Sequence, residues 1–402
     1  MAEKAAHMVE PDDIARLEKA ANGNNADAPG HKREHAILEA CKWRDLRGLR
    51  ALAEQPGGFL TDKIRQQAWP VLLGLQTGNG GTAHDASWKE LPRHADEDQV
   101  QLDVNRAFIY YPNHQTESQL DQRKAELSSL IVSVLRHNPY LSYFQGYHDI
   151  CQVFLLVLPP TLRRPAVSRL SALRIRDFML PSLTPAIAQL RLIPDILRAA
   201  DPALWMHLSS TEPFFALSGT LTMYAHDITT LGEISRLFDV LLAREPVFSV
   251  YMFAAIVRSR RAELFDTPRD EPEMLHSILS KLPRPLDLDA LITSAVALFE
   301  AHPPERLASW RTISRASVLK TARDAEACAA QTMEDGRVFF ERQVRELRWI
   351  ETRDKIREGL WRYRRPARAV GLAVLIGVVA VLLRRSPGIS AYVSSLVARW
   401  IR

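Results

Sequence analysis

Wherever apolar residues recur in this chain they do so at helical spacing, and prolines set the ends of the runs. Leu120, Leu127, Leu130, Ile131, Val134 and Leu135 fall on one side of a 3.6-residue wheel. Asn138-Pro139 closes that run, because the residue before a proline avoids helical backbone. No stretch alternates apolar and polar residues between hairpin turn signals. The spacing therefore predicts an all-α protein, a multi-helix body around a shared core. At 402 residues and 47% hydrophobic content there is enough apolar surface for one large core or two modest ones.

Residues 1–34 are rich in Ala, Asn and Asp, with Asn22-Gly23-Asn24-Asn25 and Pro29-Gly30, and are expected to form a disordered leader without a secretory signal. Folded structure is expected from His35 to Trp310. Within it, Gln55-Pro56-Gly57-Gly58 stops a first helix, and Thr61 or Asp62 caps a second that Pro70 interrupts. Gln76–His94 reads as a Gly/Asn-rich loop. Beyond Pro159-Pro160, helical stretches are expected at 175–180, 187–200, 202–208, 214–224, 231–243 and 247–257. Residues 311–366 read as a charged helical linker or stalk.

The chain is basic, but its surplus sits at one end. Arg337–Arg368 holds eleven Lys and Arg against five Asp and Glu, and Arg384, Arg385, Arg399 and Arg402 add to it, so residues 1–336 are net acidic. That distribution excludes a nucleic-acid groove on the body and fits apposition to a membrane. Ala369–Leu383, fifteen uncharged residues between arginine pairs, would span about 22 Å as a helix, and about 27 Å counted from Pro366, close to a thin bilayer. Residues 367–385 are accordingly expected to be a transmembrane or re-entrant anchor. After Ser386-Pro387-Gly388, the spacing of Ile389, Tyr392, Val393, Leu396, Val397, Trp400 and Ile401 predicts an amphipathic helix lying on membrane lipids.

Several chemistries are excluded by motif. Gly78-Asn79-Gly80-Gly81 is followed by no Lys-Ser/Thr, so it is no phosphate cradle. Cys41, Cys151 and Cys328 match neither a zinc spacing nor a disulfide framework. His148-Asp149 and His226-Asp227 could mark a metal-dependent phosphohydrolase, but the further His and Asp that such a site needs are not found at suitable positions, and surface or capping pairs are the simpler reading. No Gly-x-Ser-x-Gly or His-Glu-x-x-His motif occurs.

What remains is a set of polar residues where apolar ones would be expected. Arg65 and Trp69 lie one turn apart on one helical face. Val100, Asp103 and Arg106 follow at i, i+3 and i+6. Tyr143-Phe144-Gln145-Gly146 is a short connection opening the apolar helix Tyr147–Leu158, followed closely by Asp149. Each has an ordinary reading: Trp69 in the core with Arg65 on nearby acids or carbonyls, Arg106 ion-paired to Asp103, Gln145 a plain amide at a helix start.

In order and approximate spacing, Arg65-x-x-x-Trp69, Val100-x-x-Asp103-x-x-Arg106 and Tyr143-x-Gln145-Gly146 resemble the TBC domain of Rab GTPase-activating proteins. Gln145–Ile150, Arg176-Asp177-Phe178-Met179 and Phe215-Ala216-Leu217-Ser218 are similar to the membrane-anchored subgroup acting on the Rab of the ER-to-Golgi step. The resemblance covers about residues 35–257 and the tail. Val100 stands where Ile is usual, Phe144 where Cys is frequent, and Gly219 and Met223 lie where the subgroup tends to carry Trp. The resemblance implies that Arg106 is an arginine finger and Gln145 a glutamine finger for a GTP-bound Rab partner, with Asp103, Arg65, Trp69, Tyr143, Gly146 and Asp149 supporting them. The chain itself would need no cofactor, since GTP and Mg²⁺ belong to the Rab. A residence on the ER or early Golgi membrane is implied too. The alternative is a membrane-anchored scaffold that holds a Rab without accelerating hydrolysis.

Overall fold

The computed structural model describes residues 29–76, 85–112, 115–385 and 398–399, apart from the side chains of residues 29, 85–87, 359–370 and 383. Every regular element among them is helical, as the spacing predicts. The chain divides into two units, Met1–Gln343 and Val344–Arg402.

The first unit begins with α1 (Pro29–Lys42), α2 (Leu46–Glu54) and α3 (Asp62–Leu72). α1 starts inside the expected leader. Its Arg33 donates to the carbonyls of Leu52, Gln55, Pro56 and Gly58 and so satisfies acceptors where α2 ends. Pro70 sits in the last turn of α3 without breaking it. The other leader residues, residues 77–84 of the expected loop and most of the expected amphipathic tail lie outside the described residues.

Next come α4 (Glu97–Val104), α5 (Glu117–His137), α6 (Tyr147–Val157) and α7 (Pro160–Leu173). Thr116 and Gln119 form a reciprocal capping box at the start of α5. α7 is absent from the sequence reading, in which Pro159-Pro160 closes the preceding helix and the next helical stretch begins at 175. Pro160 instead opens the helix, where a missing N–H costs little, and Pro165 lies inside it.

Short helices follow: a 3-10 turn at Arg176–Met179, α8 (Thr184–Leu190), α9 (Leu192–Ala200), α10 (Pro202–His207) and α11 (Leu217–Leu221). Two long buried helices, α12 (Leu231–Ala243) and α13 (Phe248–Ser259), come next. The core is centred where α3, α6 and α12 meet. There the rings of Trp69, Phe154 and Phe238 pack against one another at centroid separations of 5.5–5.8 Å. α14 (Arg261–Asp266), α15 (Pro272–Leu279) and α16 (Leu288–Ala301) extend the unit, with Tyr251 of α13 edge-on to Phe299 of α16.

The unit does not end at Trp310. α17 (Val318–Thr321), α18 (Ala325–Ala330) and the first turns of α19 (Met333–Arg385) belong to it, through Gln343. Buried Ala316, Val318, Leu319, Ala322, Ala325 and Cys328 supply the apolar contacts, which the heavy charge downstream obscures in the sequence.

In the second unit, α19 continues to Arg385 as one helix. Leu372, Val374, Leu375, Ile376, Val378, Val379, Val381 and Leu382 are all exposed on it. Among the described residues no helix is long and apolar enough to cross a membrane, so the expected span is not seen. The uncharged run is fifteen residues, short of the roughly 20 that a crossing takes.

Candidate functional site

Arg106 lies two residues beyond the end of α4, in a turn closed by its backbone N–H to the Asp103 carbonyl (3.0 Å), and not on the helix itself. Its guanidinium donates to Asp103 Oδ1 at 2.9 Å. The Arg106 side chain is 66% exposed while that of Asp103 is fully buried, so an exposed cation is tethered by a buried anion. Asp103 is held in turn by Gln99, at 3.0 Å, and by the Tyr143 hydroxyl, which donates to Oδ2 at 2.9 Å. Burial, together with the Asp103 charge, pushes the Tyr143 hydroxyl far above the ordinary phenol range, so it remains a donor.

Gln145 is reached by a tightly fixed loop. Asp96 accepts the Tyr143 N–H (2.8 Å), the Met179 carbonyl accepts that of Ser142 (2.8 Å), and Phe144 is buried against Tyr147 and Phe178. Gly146 then caps α6 with φ of +97°, a conformation that suits glycine, and a Cβ there would meet Thr222 Cγ2 at 2.6 Å. Gln145 is exposed ahead of it. Arg106 and Gln145 line one cleft of about 240 Å³, together with Asp103, the Ala107–Tyr111 turn, His148, Asp149, Gln152, Ala225 and His226.

The two His-Asp dipeptides meet at this cleft, which their sequence positions do not reveal. Asp149 Oδ2 lies 3.0 Å from His226 Nδ1, and Oδ1 lies 3.3 Å from His148 Nε2. His148 Nδ1 is 3.3 Å from the Tyr143 hydroxyl, so a continuous polar chain runs from Arg106 to His226. The bond to Asp149 raises the His226 pKa against the opposing effect of burial, whereas burial lowers that of His148. Among the described residues no group of three His, Cys, Asp or Glu is placed to hold a metal ion.

Arg65 and Trp69 lie apart from the cleft lining and take the structural role. Both donate to Asp239, Arg65 through Nε and Nη2 and Trp69 through Nε1 at 2.8 Å. The Phe59 N–H supplies a further donor at 2.9 Å. Burial works against the Arg65 charge, but Asp239 and Asp62 outweigh it and hold the guanidinium above its ordinary value. Asp239, 174 residues from Arg65, was not singled out from the sequence, nor was Asp96; His226 was, but as half of a possible metal-site pair and not as the partner of Asp149.

An all-helical domain with an exposed guanidinium and an exposed carboxamide facing out of one cleft, each anchored by buried groups, is the class of protein that the fold and site define. Residues 62–265 match the model of the Rab-GTPase-TBC domain. TBC1 domain family member 20 of Homo sapiens is 31% identical over 351 residues, 85% of this chain and 85% of that protein. The Bos taurus protein of the same name is 34% identical over 296 residues, 72% of this chain and 73% of its own. The GTPase-activating protein gyp10 of Schizosaccharomyces pombe is 32% identical over 308 residues, covering 75% and 81%. Among solved structures, the Ypt/Rab-GAP domain of Gyp1p superposes with a TM-score of 0.50 at 16% identity, over 63% of this chain and 92% of that one. The chain belongs to the Rab-GTPase-TBC domain family.

Proposed function

We propose that this Rab GTPase-activating protein works by lending Arg106 and Gln145 to the nucleotide site of a GTP-bound Rab. The guanidinium meets the charge that spreads over the transferring phosphoryl group, and the carboxamide orients the attacking water. GTP and Mg²⁺ come with the Rab. The observation that carries this reading is the shared cleft: both side chains face solvent from it, and Asp103 holds Arg106 without burying it. In this reading Tyr143, Asp149 and Gly146 set the geometry, and Arg65 and Trp69 hold the scaffold.

Fingers supplied in trans are worth about 10³- to 10⁵-fold in rate, roughly 4–7 kcal/mol of barrier. GTP hydrolysis by a panel of GTP-loaded Rabs tests the reading. Arg106→Ala and Gln145→Ala should each lose most of the stimulation, and Arg106→Lys nearly as much, because a point charge does not fork between two oxygens. Equal rates with Arg106→Ala and the native protein would refute it. Binding of a Rab without acceleration by the native protein would leave a scaffold instead.

We also propose that residues 367–402 lie against the ER or early Golgi membrane, where the protein would serve ER-to-Golgi traffic. In support, the apolar residues of 371–382 that end α19 are exposed, and arginines flank them on both sides. Deleting 367–402 should move the protein from the membrane fraction to the supernatant; continued sedimentation with membranes would overturn this.

A further inference from the structure

The loop that presents Gln145 rests on the first turns of α19. Phe340, 5% exposed, packs edge-on against Tyr140 with ring centroids 5.0 Å apart. One turn on, Gln343 is 2% exposed and uses both ends of its amide. Its Oε1 accepts from Arg176 Nε (3.1 Å), and its Nε2 donates to Asp177 Oδ1 (2.8 Å). Arg176 and Asp177 are themselves buried, so this amide bridges two desolvated charges. The next two residues carry the contact back to the loop: the Phe178 ring meets Phe144 at 6.2 Å, and the Met179 carbonyl holds the Ser142 N–H at 2.8 Å. Residues 140–144 are thus fixed by α19 at one end directly and at the other through Arg176–Met179.

We infer that Phe340 and Gln343 are positioning residues for Gln145, setting the loop from which the carboxamide reaches the Rab; this rests on the reading of Gln145 given above. An exposed glutamine immediately ahead of a left-handed glycine takes its aim from the backbone beneath it, and that backbone takes its place from α19. The α19-side contacts of Tyr140, Ser142 and Phe144 involve no group of the Arg106–Asp103 pair, which this loop meets through the Tyr143 hydroxyl. Loss of the α19 contacts should therefore be felt through the glutamine.

The test is a double-mutant comparison in the full chain, with the GTP-loaded Rab that responds in the panel. Phe340→Ala and Gln343→Leu should each lower kcat about tenfold, with KM within about twofold, because small misplacements of a reacting group cost rate more than binding. In a Gln145→Ala background the same changes should cost less than about twofold, since their effect runs through a group already removed. Phe340→Leu should recover most of the rate, and it carries the same comparison should Phe340→Ala unfold at assay temperature. Equal losses in both backgrounds, or full activity of both variants, would overturn the inference. If Gln145→Ala alone leaves the rate unchanged, the glutamine reading falls and this inference with it. If Gln145→Ala slows hydrolysis while the α19 variants do not, only the inference falls.

Discussion

Asp239 is the residue on which the scaffold closes. It is fully buried and accepts from Arg65, Trp69 and the Phe59 N–H, so removing its cation leaves an uncompensated charge in the core. Arg65→Ala should cost about 3–5 kcal/mol of stability, read as a lower urea midpoint, while Arg106→Ala should cost less, because Gln99 and the Tyr143 hydroxyl still donate to the buried Asp103. A second residue-scale expectation concerns His226. Its folded-state pKa is raised above the ordinary 6.5 by the bond to Asp149, so its contribution is fully present below 6.5 and is lost as pH rises through the raised value. The melting-temperature difference between native protein and His226→Ala should shrink as pH rises through that window. It should also shrink in high salt, because the imidazole is largely exposed. The difference separates His226 from His148, whose lowered pKa works in the opposite sense. Of these partnerships the sequence makes legible only the local ones. Asp103 and Arg106 stand three residues apart and so announce their pairing, as Arg65 and Trp69 announce a shared face. Asp239 and His226 are joined to their partners across the fold, by packing that periodicity does not encode.

Among the elements, the turn before α6 is the most constrained. Gly146 combines a left-handed backbone with a Cβ position already filled by Thr222. Gly146→Ala should therefore cost about 1–3 kcal/mol, from backbone strain with steric overlap added. It should also lower stimulation of the Rab by moving Gln145. Pairing it with Thr222→Ala should recover part of the stability but not all, because the strain at φ remains; full recovery in thermal unfolding would show the left-handed conformation to be dispensable. Element existence was readable where apolar spacing was long and clean, as in α5, α6, α12 and α13. It was not readable for α7, where Pro160 looks like a breaker but opens the helix, and Pro165 lies inside it. The contribution of 311–343 to the body was hidden for another reason: short helices of four and six residues carry too few turns to show a period.

At the scale of the molecule, the region matching the family model is narrower than the region that folds as a unit. Residues 62–265 leave out Arg33, whose guanidinium satisfies four carbonyls around the end of α2, and Asp289, which pairs with Arg236. They also leave out Gln343 and its bridge between Arg176 and Asp177. A chain trimmed to 62–265 should bind hydrophobic dye and lack a cooperative melting transition, whereas residues 29–343 should unfold in one step; a sharp transition for the shorter piece would contradict this.

The long reach of the Arg65–Asp239 bond also bears on how the protein is made. With 174 residues between the partners, a ribosome adding roughly 5–20 residues per second brings out the carboxylate about 10–35 s after the guanidinium. Throughout that interval Trp69 has neither its acceptor nor the ring of Phe238 against it. The nascent chain must therefore carry an unfinished, sticky amino-terminal third, and newly made molecules should depend on holding chaperones far more than finished ones do.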